Sequence, residues 1–181
     1  MVSGNLNVER LLDSICQDLK TLITYRNIED PIMIGIRTGG VWVAERLHQQ
    51  LGITSPLGIL DISFYRDDFT RSGLNPKVKP SELPCSTEDR HILLVDDVIM
   101  SGRTIRAAMN ELFDYGRPAS ISLITLIDLQ RRELPVQPDV CGDTMILGPD
   151  QQIKLCGPDP LLLDINFKLE PGQSLGIIGP S

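Results

Sequence analysis

Two adjacent carboxylates, Asp96 and Asp97, follow the apolar run Ile92, Leu93, Leu94 and Val95. Just after them come Met100, Ser101, Gly102, Arg103 and Thr104, and then a helix-forming stretch. A buried strand, a short glycine-containing loop and a helix, in that order, place ligands at the C-terminal edge of an open α/β sheet. The helix start offers free N–H groups and the positive end of a dipole, which suit a phosphate. Ser101 and Thr104 add hydroxyl donors, and paired carboxylates accept from the vicinal hydroxyls of a sugar. A phosphate and a ribose side by side describe a 5-phosphoribosyl group. A lone Asp-Asp pair is more often a helix cap or a solvated loop, but the strand, Ser-Gly-Arg-Thr and helix around this one reverse those odds. At a strand edge both acids are expected to be solvent-accessible.

The elements that must position these groups follow from apolar spacing. Val8, Leu11, Leu12, Ile15, Leu19, Leu22 and Ile23 form one stripe of a helix over residues 8–23, with Asn7 as its N-cap. Residues 32–36 read as a buried strand, Gly39 and Gly40 as a tight turn, and 41–51 as a second helix. Residues 57–63 are a further strand candidate. Residues 64–90 contain Pro76, Pro80 and Pro84, many charges and few aliphatics, the pattern of a long loop or protruding hairpin. A helix is expected over 104–115, capped at Gly116, and a strand over 120–127. After Asp128 the pattern breaks into short strands divided by prolines. Helices alternating with β-branched strands predict an α/β fold with a mostly parallel central sheet.

The chain has 181 residues, with 17 Lys and Arg against 24 Asp and Glu, a net charge of −7. That suits one folded domain with a core that needs no disulfide or metal staple. The acidic balance argues against broad electrostatic attachment to nucleic acid or anionic membrane, though a local basic patch remains compatible with it. No apolar run reaches the roughly 20 residues of a membrane span, and the N-terminus lacks a secretory pattern, so a cytoplasmic protein is expected. Cys16, Cys85, Cys141 and Cys156 form no Cys-x-x-Cys pair, which removes zinc-site spacing and leaves reduced thiols. His48, His91 and Trp42 read as packing residues, and Arg131 with Arg132 is thin support for an RNA contact.

On these residues the chain resembles the PyrR family, within the type I phosphoribosyltransferases. Four segments carry the resemblance, which runs from about residue 8 to 160. They are Ile36 to Gly40, Ser63 to Thr70, Val95 to Thr104, and Arg132-Glu133-Leu134-Pro135. Many members resemble Lys-Thr-Arg-Gly where this chain has Arg37-Thr38-Gly39-Gly40, and Asp-Arg-Gly-His before the last segment, where it has Asp128-Leu129-Gln130-Arg131. The resemblance implies the type I fold, with a flexible flap and a small hood. It makes Arg37, Thr38, Gly39 and Gly40 the pyrophosphate loop, and Met100 to Thr104 the 5′-phosphate loop beside Asp96 and Asp97. Tyr65, Arg66, Asp67 and Asp68 become the flap, with Arg66 catalytic together with the two acids. Arg132, Glu133, Leu134, Pro135 and Val136 become the hood over the base.

The implied activity joins uracil to phosphoribosyl pyrophosphate, giving UMP and pyrophosphate, with Mg²⁺ carried by the substrate and no organic cofactor. UMP and UTP would act as effectors, a pyr leader RNA would be a partner, and the chain would form a homo-oligomer. Two alternatives stay open: a mainly regulatory uridine-nucleotide and RNA-binding protein, and a transferase for another base. Residues 1–160 form the expected domain. Residues 161–181 are an extension that resembles the approach to a Walker A loop but stops before any Gly-Lys-Ser/Thr, so no nucleotide hydrolysis is assigned to it. An added hairpin or an oligomer contact is the expectation there.

Overall fold

A computed structural model describes residues 6–62 and 81–167 of the chain. The flap expected at Tyr65 to Asp68 and the end of the extension lie outside the described residues.

Helix α1 (Val8–Tyr25) starts where Asn7 Oδ1 accepts from Arg10 N at 3.2 Å, satisfying an amide that the helix itself leaves unpaired. Its stripe of Val8, Leu12, Ile15, Cys16 and Leu19 is buried. Strand β1 (Ile32–Ile36) leads into helix α2 (Gly39–Leu51), and strand β2 (Gly58–Leu60) follows. Strand β3 (His91–Ile99), helix α3 (Arg103–Asp114) and strand β4 (Ser120–Asp128) form the next crossover. Strand β5 (Val140–Thr144) completes a five-stranded sheet of order β2-β1-β3-β4-β5, parallel throughout.

Strand residues alternate between two cores, as the two-residue period of a strand requires. Met33, Leu93, Val95, Ile124 and Leu126 pack with α1 and α2. Ile32, Ile34, Ile36, Ile92 and Leu94 pack on the other face with Ile105, Ala108 and Leu112 of α3. Both faces of the sheet are therefore covered, which is why its strands read as continuous apolar runs.

Strands β6 (Gln151–Cys156) and β7 (Leu162–Phe167) form an antiparallel pair. The ladder joins Gln151 to Phe167 and Cys156 to Leu162, so it spans the boundary expected at residue 160. Leu161 is buried in the α1/α2 core, and Leu163 and Ile165 pack against it. Trp42 packs against the same turn: a Cβ on Gly157 would stand 3.0 Å from its ring.

Close packing of α1 on β5 depends on one missing side chain. A Cβ on Gly142 would lie 2.5 Å from the Leu126 carbonyl oxygen, 3.2 Å from Ile15 Cδ1 and 3.3 Å from Leu11 Cβ. The carbonyl belongs to the neighbouring strand and cannot move without breaking the ladder. Gly142→Ala is expected to cost about 1–3 kcal/mol, as overpacking does. Urea unfolding should show it as a lower midpoint at unchanged m-value.

Candidate functional site

From β1 the chain passes to β2 on one side of the sheet and then to β3 on the other. The strand order therefore reverses between β1 and β3, and a crevice opens outside the C-terminal ends of strands at such a point. Both strands lead directly into helices there. The N-cap of α2 is Thr38 and that of α3 is Gly102, and neither contributes a capping side chain. Two helix starts, each with the amides and dipole that favour an anion, thus flank one crevice.

The β1/β3 ladder runs to Gly35 and Val95, whereas β3 stays paired with β4 as far as Ile99 and Asp128. The strand expected to end before the acids therefore continues past them. Residues 37–40 turn away from the sheet and lie against β3. A Cβ on Gly39 would stand 2.1 Å from Asp97 Oδ2, and one on Gly40 would stand 2.6 Å from the Val95 carbonyl oxygen. The two loops touch through these glycines, and no other residue type fits there.

Asp97 is half-buried, but Asp96 is only 3% exposed, against the expectation that both acids are accessible. Asp96 Oδ1 accepts from Asp97 N at 3.0 Å. Covered by the 37–40 loop, Asp96 orients its neighbour's backbone, and Asp97 is the acid nearer to solvent.

Arg37 does not extend freely into the crevice. Its Nε lies 3.5 Å from Asp61 Oδ2 and its Nη2 lies 3.8 Å from Glu82 Oε1. Arg37 thus lies beside the carboxylates of Asp61 and Glu82, while Gly39 and Gly40 lie on Asp97 and Asp96.

The 100–104 loop has Met100 exposed and Thr104 half-buried, and Ser101 Oγ accepts from Arg103 N at 3.3 Å. The segment 132–136 is bound to this loop. The Ser101 carbonyl accepts from Glu133 N at 3.0 Å and Leu134 N at 3.1 Å. Arg103 Nε donates to Glu133 Oε2 at 2.7 Å. The glycine at 102 has a positive φ of 91°, and a Cβ there would reach the Cβ atoms of Leu134 and Val136 at 3.5 Å. Arg132 is the rivet: it donates to Asp128 Oδ2 at 2.6 Å, to the Val136 carbonyl at 2.6 Å and to the Met100 carbonyl at 2.9 Å. Arg132 and Glu133 thus fix the segment in place with their charged groups, rather than pointing them at a ligand.

Beneath this segment is a cavity of about 430 Å³ lined by Asp128, Gln130, Arg132, Leu134, Pro135, Val136 and Gln137. Sequence reasoning missed Asp128, Gln130 and Gln137 as lining residues. Asp128 was detectable, because it ends a buried strand at the same edge of the sheet as Asp96 and Asp97. Of the three residues that depart from the family pattern, Leu129 enters the core. Arg131 donates to the Leu147 and Gly148 carbonyls, and Gln130 turns to positive φ with its amide on Asp128 Oδ1 at 2.7 Å. Arg131 and Arg132 are thus both engaged internally, while Arg131 remains exposed.

Cys141 on β5 accepts from Thr125 Oγ1 at 3.6 Å and donates to the Asp143 carbonyl. Burial pushes its thiol pKa up, and the charges of Asp128 and Asp143 add to the rise while the two hydrogen bonds oppose it. The thiol stays protonated at neutral pH, which excludes it as a nucleophile.

Residues 6–155 match the profile of the phosphoribosyl transferase domain. The bifunctional protein PyrR of Pseudomonas paraeruginosa is 58% identical over 158 residues, spanning 87% of this chain and 93% of that protein. The bifunctional protein PyrR of Pseudomonas syringae pv. tomato is 56% identical over 88% of this chain and 94% of its own length. The fold is similar to that of a hypoxanthine phosphoribosyltransferase from Staphylococcus aureus, with a TM-score of 0.61 at 18% identity over 83% of this chain and 81% of that one. The crevice between two helix starts, the acids behind it and near-complete alignment at this identity lead to one assignment: the chain belongs to the phosphoribosyltransferases and, among them, to the PyrR family.

Proposed function

We propose that the chain transfers the phosphoribosyl group of phosphoribosyl pyrophosphate to uracil, releasing pyrophosphate and forming UMP. The observation that carries this reading is the contact of the 37–40 loop with Asp96 and Asp97, which sets an anion-binding turn against a pair of hydroxyl acceptors. Loop 100–104 would take the 5′-phosphate at the start of α3. Asp97, the more exposed acid, would accept from the ribose hydroxyls, with Asp96 holding it in place. As the C1′–O bond breaks, the electron pair leaves with pyrophosphate and positive character builds on the ribose. The fixed negative charge of the acids then gains in attraction at the transition state. Uracil N1 forms the new bond and gives up its proton. The cavity under 132–136 would hold the base, its floor and roof supplied by Leu134, Pro135 and Val136, with Gln130 and Gln137 at its polar rim.

The charge balance bears on the cation. Among the described residues, the carboxylates of Asp96 and Asp97 beside the 37–40 loop favour a substrate whose pyrophosphate is partly neutralised. A substrate that brings Mg²⁺ fits this donor set, because Mg²⁺ keeps several waters and takes one or two carboxylates beside phosphate oxygens. Among the described residues no three His, Cys, Asp or Glu side chains gather into a cage of their own. Asp97, the more open acid, is the residue that would face the cation, which when bound offsets charge on the leaving group.

The relatives are named bifunctional, and the second activity we propose is regulation of pyrimidine genes with UMP or UTP as effector. No helix among the described residues is long and apolar enough to cross a membrane.

Three outcomes are expected. With Mg²⁺ and phosphoribosyl pyrophosphate, uracil should yield nucleotide far faster than hypoxanthine, guanine or orotate. Equal or better turnover of a purine would overturn the base assignment. Asp97→Asn should lower kcat by about 10²–10³, the scale of losing one electrostatic group at a developing charge, with little change in melting temperature. Arg132→Met should raise KM for uracil by about ten-fold or more while KM for phosphoribosyl pyrophosphate changes little. Displacing the segment over the base mispositions one substrate only.

A further inference from the structure

The β4/β5 ladder ends at Asp128 and Thr144, and the Met145 amide adds one bond of 2.9 Å to the Asp128 carbonyl. Beyond that point the two chains part. One becomes the 129–137 segment above the cavity, and the other runs through 145–150 into β6. The first chain turns sharply at Gln130, whose φ of 55° is one that a residue other than glycine adopts at a cost. Such a turn needs an anchor on each side. Leu129 is the anchor before it, buried in the α1/α2 core with its amide on the Ile99 carbonyl at 3.0 Å. Arg131 is the anchor after it. Its Nη2 donates to the Leu147 carbonyl and, at 3.1 Å, to the Gly148 carbonyl, so one guanidinium joins the two diverging chains. Arg131 does not line the cavity, whereas Gln130 and Arg132 on either side of it do. The two carbonyls are themselves held. Leu147 is buried in the same core as Leu129. Gly148 is gripped twice by Gln151, the first residue of β6. Gln151 N donates to the Gly148 carbonyl at 3.1 Å, and Gly148 N donates to Gln151 Oε1 at 2.8 Å. Gln151 pairs in turn with Phe167 on β7, in the extension past residue 160.

From this we propose that Arg131 is a positioning residue for the base cavity, and that the β6/β7 hairpin is the support on which it acts. The proposal rests on the reading of that cavity as the seat of the base. Arg131 and Arg132 are adjacent but grip different parts of the fold. Arg132 ties the segment to the 100–104 loop through the Met100 carbonyl, and Arg131 ties it to the entry of the hairpin. A segment held by one tie can pivot about it. Held by two, it keeps Gln130, Leu134 and Val136 at fixed places around the cavity. One guanidinium nitrogen carries two N–H groups, enough for both carbonyls, and its charge strengthens each bond. Arg131 is exposed, so water competes for those donors and the tie is worth less than a buried one. The hairpin thus does more than cover apolar surface. Its first residue sets the carbonyls that hold the base segment.

The test is steady-state kinetics of the full-length chain with uracil, phosphoribosyl pyrophosphate and Mg²⁺, with KM measured for each substrate. Arg131→Met keeps the apolar stem and removes the donors. It is expected to raise KM for uracil about five-fold, the scale of an exposed charge-assisted hydrogen bond. KM for phosphoribosyl pyrophosphate and kcat should change by less than about two-fold, because only one substrate is mispositioned. Arg131→Lys keeps a charged donor and should recover part of the loss. Gln151→Ala releases Gly148 and is expected to raise KM for uracil about two-fold. Gln151 acts through the carbonyls that Arg131 uses, so the double variant should be no worse than Arg131→Met alone, a coupling that independent sites do not show. Unchanged KM for uracil in Arg131→Met, with a clear rise in Arg132→Met, would overturn the positioning role and leave the cavity reading standing. Unchanged KM for uracil in both would remove the cavity reading and the proposal together, as would a wild-type chain that does not turn over uracil. An equal rise in both KM values in Arg131→Met would show general loosening and overturn the proposal. Full additivity of the Arg131 and Gln151 losses would remove the hairpin from it.

Discussion

The site depends on a backbone contact: Gly39 and Gly40 of one loop lie directly on Asp96 and Asp97 of the next strand. β1 leaves the ladder after Gly35 while β3 continues to Ile99. The turn that leaves β1 would otherwise stand off by the width of a side chain. Because these positions have no Cβ, the helix start of α2 and the acids of β3 form one wall instead of two separated edges. The contact also explains why one acid is covered and the other is open. The covered acid spends an oxygen on its neighbour's amide, a charge-assisted bond that fixes the second carboxylate's backbone.

The other half of the site is assembled by side chains. Arg132 joins the end of β4, the loop after β3 and the far side of its own turn with three hydrogen bonds. Asp128 is buried, so the pair is costly to break from either side. The cavity under 132–136 and the 100–104 loop consequently share Ser101 as a common support, through its carbonyl. A ligand that reaches both loops binds to one braced unit.

Much of this was legible in the sequence. The strands and helices of the parallel sheet followed from apolar runs and from the stripe on α1, because burial on both faces leaves a strong period. The acid pair, the glycine turn and the loop before α3 were found because their chemistry is local: a strand end, a glycine and a helix start lie within a dozen residues. What escaped was non-local. The burial of Asp96 comes from a loop some 55 residues earlier in the chain. Arg132 was expected to meet the base because its partners, Met100 and Val136, offer backbone carbonyls that no side-chain motif reveals. The ladder between β6 and β7 crosses residue 160 because Leu161, Leu163 and Ile165 need the α1/α2 core. A family boundary drawn from motifs says nothing about that need. Asp61 and Glu82 carry no motif, and only the backbone pairing of Ile59 with Glu82 brings them to Arg37.

The two glycines have an evolutionary consequence. At positions 39 and 40 any side chain would strike a carboxylate or the strand behind it, so this half of the molecule admits no experiment by mutation. The residues 129–137 are under a different regime. They form an irregular segment anchored mostly by two arginines, Arg131 and Arg132, on backbone carbonyls, and its tip stands off the sheet. Change at that tip therefore meets less steric resistance than change at the glycine contact.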